Sequence, residues 1–318
     1  MKSLIRLLLL LVTAVTCGFA SAQPVTKIVV PFAAGGGTDV YVRLLASEIT
    51  KAGVPVIVEN KPGASGNIAA DYVAKSRPDG RTVFVGTNST MANNTVLFEK
   101  LPYDPLKDFV PVSHIGYQPM IIVARTDLPY GTLQEMVAYA KANPGKINRG
   151  SPGAGIISNL APLMFERQAG IRTTHVPFNG DAPGLQALLS GSIDIHGTSI
   201  TASLPHVQSG KIRVLGVMDH KRMSQVPNAP TFKEAGYDLE AYAWYALVAP
   251  AGTPREAVER LNKAVNDVLV REDFVAKAQA MGMEPRGGSP DDLGKYIRKE
   301  YDRWVPLLKK LELTKSTY

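Results

Sequence analysis

The ten residues Val30-Pro31-Phe32-Ala33-Ala34-Gly35-Gly36-Gly37-Thr38-Asp39 carry the chain's clearest chemical potential. Three glycines stand between a run that reads as a strand, Lys27 to Pro31, and one that reads as a helix, Thr38 to Ala52. Glycine lets the backbone turn tightly and presents bare N–H groups. A helix capped at Thr38 or Asp39 adds unpaired N–H donors and the positive end of its dipole. Such a turn can hold a carboxylate or phosphate with no cationic side chain, although many βα turns use glycine merely to turn.

A second glycine-rich turn, Gly150-Ser151-Pro152-Gly153-Ala154-Gly155, occupies the corresponding place between a later strand and helix. In open α/β sheets the ligand crevice lies beyond the carboxyl ends of the strands, where both turns fall, so the pair reads as two facing anion loops. The candidate binding residues on them are Phe32, Gly36, Gly37, Thr38 and Asp39, then Ser151, Gly155, Ser158 and Asn159. Three further strand ends, Thr87-Asn88-Ser89-Thr90, Pro177-Phe178-Asn179-Gly180 and His196-Gly197-Thr198-Ser199, offer Ser89 and Thr198 as hydroxyl partners and Phe178 as an apolar wall. Helix capping or turn formation also accounts for each of these, since Ser, Thr and Asn favour such positions.

Catalytic chemistry finds little support. Gly-x-Ser-x-Gly is absent, Gly63-Ala64-Ser65-Gly66 being the nearest approach, and no His and acid partner follow at a useful spacing. His114, His175, His196, His206 and His220 lack metal-ligand spacing. Gly35-Gly36-Gly37 is not a dinucleotide fingerprint, and no Walker lysine is present. No catalytic residue, metal or cofactor is expected.

The elements that must position these residues alternate as βαβ. Strands are expected at Lys27–Pro31, Val54–Asn60 and Thr82–Gly86, with helices at Thr38–Ala52 and Asn67–Ser76 and near Met91–Phe98. Strands near Val112–Gly116 and Met120–Arg125 and a helix at Thr132–Asn143 complete a first series. A second series repeats the plan from Lys146, and Pro254–Val270 and Pro290–Lys310 read as long amphipathic helices that return to the first lobe. The expected fold is therefore α/β in two lobes with a mainly parallel sheet in each. Lobe 1 is placed at residues 23–123 and 246–318 and lobe 2 at 124–245, with two extended crossovers forming a hinge. A single doubly wound sheet is the alternative.

Composition agrees with export and a small anionic ligand. Met1 and Lys2, an apolar run from Leu4 to Val12 and the small residues Ala20-Ser21-Ala22 read as a signal peptide over residues 1–22. The run is too short to cross a membrane, which takes about 20 apolar residues. The single cysteine, Cys17, lies in that segment, behind Ala14-Val15-Thr16, a poor match to a lipoprotein signal. A net charge of +7 without a block of five basic residues argues against nucleic acid and for small anions.

Taken with Val58-Glu59-Asn60-Lys61-Pro62-Gly63-Ala64, Arg77-Pro78-Asp79-Gly80 and Ala249-Pro250-Ala251-Gly252-Thr253-Pro254, the first glycine loop makes the chain after Gln23 resemble the Bug-type receptors of tripartite tricarboxylate transporters. The resemblance implies a periplasmic-binding-protein-like Venus flytrap in which both glycine loops grip one carboxylate through backbone N–H groups. It also implies delivery of a di- or tricarboxylate, an acidic amino acid or an aromatic acid such as terephthalate to membrane transporter components; the signal peptide predicts a periplasmic product cleaved near Ala22, and a monomer is the expectation for a receptor that must dock on a transporter. A sensing receptor feeding a membrane kinase and a secreted enzyme are the rivals. Asn159, Phe178-Asn179 and His196-Gly197-Thr198-Ser199 depart from the commoner family pattern. That departure suggests a neutral pocket wall and an acid without an amine, with aromatic acids in view.

Overall fold

The computed structural model describes residues 25–153 and 155–310. The expected signal peptide, its cleavage point and Cys17 lie outside the described residues.

The first half of the sheet is built from β1 (Thr26–Val30), β2 (Val56–Asn60) and β3 (Thr82–Thr87), with β1 parallel to both neighbours. β-Branched residues dominate β1, and Ile28, Val29 and Val30 are all buried, as a strand covered on both faces requires. Helix α1 (Gly37–Lys51) covers one face through Tyr41, Val42, Leu45, Ala46 and Ile49. Helix α2 (Asn67–Ala74) buries Ala69, Ala70 and Val73. After β3 the chain makes a π turn at Ser89–Asn93 and a short α3 (Asn94–Leu97), where one helix was expected.

β4 (Phe109–Arg125) is one continuous strand of 17 residues where two separate strands were expected. Residues Phe109 to Pro119 pair antiparallel with β9 (Tyr242–Pro250), which also pairs antiparallel with β3. From Met120 to Arg125 the same strand pairs antiparallel with β7 (Ile195–Ser199) and β8 (Ile212–Val217). β4 thus threads both halves of the sheet and changes partners between Pro119 and Met120, opposite the first residue of β9. Register shifts between Pro111 and Ser113 and between His114 and Gly116 bend it. Gly116 is the residue that permits the second, since its φ is 150° and a β-carbon there would stand 2.8 Å from the Glu284 carbonyl.

The second half repeats the outer parallel arrangement, with β5 (Asn148–Ser151) between β6 (Thr174–Pro177) and β7. Helices α4 (Leu133–Ala142), α5 (Ile157–Ala169), α6 (Asp181–Leu189) and α7 (Ile200–Gln208) accompany these strands. The strand order is β2-β1-β3-β9-β4-β7-β5-β6, with β8 attached to β4. Parallel pairing therefore holds at β1–β2–β3 and β5–β6–β7, while the crossing strands add the antiparallel pairs, and the sheet as a whole is mixed.

Helices α8 (Arg255–Leu269), α9 (Glu272–Ala280) and α10 (Pro290–Lys310) close the chain, and α8 and α10 pack on β4. α10 begins with Asp291 and Asp292 and ends with Lys309 and Lys310, the charge order that suits a helix dipole. Its buried Glu300 accepts hydrogen bonds from the indole nitrogens of Trp244 on β9, at 3.0 Å, and of Trp304, at 3.1 Å. The long C-terminal helices thereby return to the first half, as their amphipathic pattern anticipates.

Candidate functional site

Gly36 caps α1 in extended conformation, with no side chain bonded to the helix start. The first intrahelical bond runs from Val40 N–H to Gly36 O at 3.0 Å. The amides of Gly37, Thr38 and Asp39 therefore have no intrahelical acceptor. The helix starts one residue earlier than Thr38, so neither Thr38 nor Asp39 is the cap. Thr38 is instead free to turn its hydroxyl to Tyr245, which also receives a hydrogen bond from Gln118 Nε2 at 2.6 Å. Burial pushes the Tyr245 phenol up to about 12, against the opposing pull of Thr38 and Gln118, so it stays a neutral hydroxyl.

Asp39 does different work from the ligand contact expected of it. Its two oxygens accept from Gly35 N–H at 2.9 Å, Arg43 Nε at 2.9 Å and Asn60 Nδ2 at 2.8 Å. Burial alone would raise its pKa, but those three donors together hold it below the ordinary value. With both oxygens engaged, Asp39 braces the glycine loop from behind.

The second glycine turn is built likewise. Ser151 Oγ lies 2.8 Å from His175 Nε2 and bonds the Gly153 carbonyl at 3.1 Å. Asn159 accepts from Arg149 Nη1 at 2.7 Å, and Arg149 Nε donates to Glu166 at 2.7 Å. Ser151 and Asn159 thus shape the turn and anchor α5. Ile156 caps α5, whose first residues are Ile157 and Ser158.

Between the halves lies a small cavity, about 30 Å³ in volume. Phe32, Thr38, Thr87, Asn88, Ser89, Ala243 and Tyr245 form its wall on the first half. Met120, Pro152, Ile156, Ile157, Ser158, Asp181 and Ser199 form it on the second. Of the residues expected from sequence, Phe32, Thr38, Ser89 and Ser158 meet on this wall. Gly36 and Gly37 border it through close contacts with Asp181 and Ser199. Asp39, Ser151, Gly155, Asn159, Phe178 and Thr198 stand off it. Phe178 packs edge-on against the buried His196, with ring centroids 6.4 Å apart, and Thr198 Oγ1 donates to Asp181 Oδ1 at 2.6 Å.

The wall is not neutral, contrary to the sequence reading, because Asp181 is on it. Asp181 is the first residue of α6 and directly follows the Asn179-Gly180 turn, a position next to a candidate already in view. Tyr245, Met120, Ile156 and Ile157 were also missed. Their strand and helix signals are those of core residues, and only the fold turns them toward the cavity.

Hydrogen bonds also join the two halves. Gly155 N–H donates to Ser65 Oγ at 3.2 Å and Asn93 Nδ2 to the Gly155 carbonyl at 3.2 Å. Ala33 N–H reaches the Asn179 carbonyl at 3.4 Å, and Thr201 Oγ1 donates to Gln118 at 2.6 Å. The profile of the tripartite tricarboxylate transporter family receptor matches residues 41–313 of this sequence. The chain belongs to that receptor family.

Relatives of the receptor family span nearly the whole chain. Protein BugT of Bordetella pertussis is 33% identical over 291 residues, covering 91% of this chain and 89% of its own. An R. palustris protein solved with adipate superposes with a TM-score of 0.86 at 35% identity, over 89% of this chain and 96% of that one. MatC from Rhodopseudomonas palustris, solved with bound malate, gives a TM-score of 0.84 at 35% identity, over 89% and 98%. Among the described residues of this receptor no helix is long and apolar enough to cross a membrane.

Proposed function

We propose that this receptor captures a small organic carboxylate in the cavity between its halves and delivers it to the membrane components of a tripartite tricarboxylate transporter. The observation that carries the reading is the convergence of helix starts. Gly37 and Thr38 of α1, Ile157 and Ser158 of α5, Asp181 of α6 and Ser199, the cap of α7, all meet at one small space. Helix starts present amide donors and the positive ends of dipoles, so an anion is held there without Lys or Arg on the wall. Burying a carboxylate without such hydrogen bonds costs several kcal/mol, roughly 2–7 for a polar group even when uncharged.

Hydrogen bonds between the halves border the cavity, and in this reading ligand entry and exit are accompanied by their separation. The partner change of β4 at Pro119 and Met120, opposite Tyr242, is the place where two extended segments can flex together. We assign the moving bodies to residues 23–119 with 243–318 and to residues 120–242, a few residues from the bounds expected from the sequence because β4 changes partner at Met120, and the mature receptor to the periplasm as a monomer after cleavage near Ala22. Adipate and malate in the related receptors support a carboxylate ligand here. Binding proceeds without turnover in this reading.

The test is a thermal-shift titration of the mature chain against aliphatic dicarboxylates, hydroxy acids, amino acids and aromatic acids. At a hundred times its Kd a ligand adds about 2.7 kcal/mol of stability. A saturable shift with an acid that is recovered unchanged supports the reading, and the absence of a shift with every acid overturns it.

A further inference from the structure

The ligand class can be narrowed by asking what the wall itself contributes in charge. Among its residues Asp181 is the one carboxyl group, and no Lys or Arg lines the cavity with it. Its Oδ1 accepts from Thr198 Oγ1 at 2.6 Å, and His196 Nε2 stands 3.7 Å from the same oxygen, too far for a hydrogen bond. Its Oδ2 has no donor among the described residues, and neither does any ion pair with Lys or Arg reach it. A negative group suits the start of α6, which accounts for its position on the helix but leaves an unused acceptor on a residue that lines the cavity.

A second group at the same place is also unspent. Ser199 is 3% exposed, lines the cavity, and its hydroxyl has no hydrogen-bond partner. Asp181 and Ser199 both press against the first glycine loop, Asp181 beside Gly36 and Ser199 beside Gly37. A ligand whose carboxylate is held by the amides that open α5, at Ile157 and Ser158, therefore turns its other end toward a carboxyl group the protein already owns.

We propose that Asp181 is a specificity-determining residue that selects acids carrying one carboxylate and a hydrogen-bond donor, an ammonium or hydroxyl group, and rejects fully ionised dicarboxylates. The inference rests on the carboxylate reading of this cavity. Two carboxylates that approach each other in a small site of low dielectric cannot both stay ionised without cost, and each disfavours the charge of the other. The donor of an amino or hydroxy acid instead satisfies Oδ2, with Ser199 completing its hydrogen bonds. Rejection here comes from a repulsive element, which discriminates between acids of equal length and shape. On this view the acceptor that Asp181 supplies distinguishes this receptor's ligand from a simple diacid such as the adipate of its R. palustris relative.

The experiment is calorimetry on the mature chain and on Asp181→Asn, using acids matched in length: succinate, 4-aminobutyrate and 4-hydroxybutyrate, then L-aspartate and L-asparagine, then terephthalate and 4-aminobenzoate. The expected result is that, in whichever set fits the cavity, the wild-type chain binds the donor-bearing monocarboxylate at least about tenfold more tightly than the diacid, with Asp181→Asn narrowing or reversing that ratio. Asn keeps an acceptor for Thr198 and a polar helix start, and the wild-type ratio stands as a measurement if the variant does not fold. A diacid bound by the wild type as tightly as its donor-bearing counterpart overturns the inference and leaves a carboxylate receptor. A preference that Asp181→Asn leaves unchanged overturns the assignment to Asp181. Binding of none of these acids by either chain overturns the carboxylate reading, and the inference falls with it.

Discussion

A β-carbon on Gly37 would collide with the hydroxyl of Ser199, a residue of the other half of the molecule, and would crowd Thr201 Cβ at 3.3 Å. Gly37 begins α1 with φ outside the left-handed region, so its backbone alone would accept alanine. The glycine is required by the approach of the two halves. Gly37→Ala is therefore expected to fold as stably as the wild type when free and to resist closure. Overpacking costs about 1–3 kcal/mol, which corresponds to ligand binding weaker by roughly five- to 140-fold. Calorimetry gives the affinity, and small-angle scattering shows whether the ligand-induced contraction is lost; full affinity with full contraction refutes the closure role.

Off the cavity wall, the approach of the halves makes the same demand at Gly155, where a β-carbon would overlap Asn94 Oδ1 and meet Leu97 Cδ1 at 3.2 Å. The two partners are on α3, across the gap from the second glycine turn. Gly155→Ala should also weaken binding by about tenfold while leaving the melting temperature of the ligand-free chain within a few degrees. A drop in that temperature as large as the loss in binding would show that the glycine serves folding of its own half instead.

These two glycines show how far the sequence could be read. Glycine-rich turns between strand and helix were visible as such, and so was the βαβ rhythm that places them at strand ends. Their reading as anion loops captures Thr38 and Ser158 on the wall but not the close approach of Gly37 to Ser199 or of Gly155 to Asn94. Those contacts join residues more than 60 apart in the chain, which no local pattern encodes. The sequence pattern offers Asp39 as a cap and binding group at the first glycine turn. The fold directs its carboxylate backward onto Gly35, Arg43 and Asn60. An acid at the first position of a helix, as Asp181 is, carries no local signal of a binding role, and only the fold brings it to the cavity.

Two histidines, the buried His114 and the half-buried His175, set an acid limit on stability. Burial, helped by the charge of Arg286, lowers His114 to about 4, with a backbone hydrogen bond at Gly116 opposing. Burial, together with Arg149 and His196, lowers His175 to about 3. Both fold as neutral rings, whereas in the unfolded chain each takes up a proton near 6.5. The stability they allow is fully present above pH 6.5 and is lost as pH falls toward 4 for His114 and toward 3 for His175. Each contributes about 1.4 kcal/mol per pH unit inside its window. Denaturant unfolding between pH 7 and 4.5 should show this slope, and His114→Gln should remove about half of it. A slope unchanged in that variant rules His114 out as a source.

Glu300 is the buried acid that both tryptophans of the chain depend on, since Trp244 and Trp304 each donate an indole N–H to its Oε2. Trp244 sits on β9, the strand that pairs with β3 and β4, and Trp304 on α10, so the shared carboxylate fastens the C-terminal helix to the centre of the first half. Removing it leaves two buried donors unsatisfied, at about 1–3 kcal/mol each. Glu300→Ala should therefore lose about 2–6 kcal/mol of stability, while Glu300→Gln, which keeps an oxygen that can accept twice, should lose less than half of that. Tryptophan fluorescence reports the change directly because both fluorophores lie at the lesion. If Glu300→Ala unfolds at the wild-type denaturant concentration, the indoles have found other acceptors and the carboxylate is not what holds α10 in place.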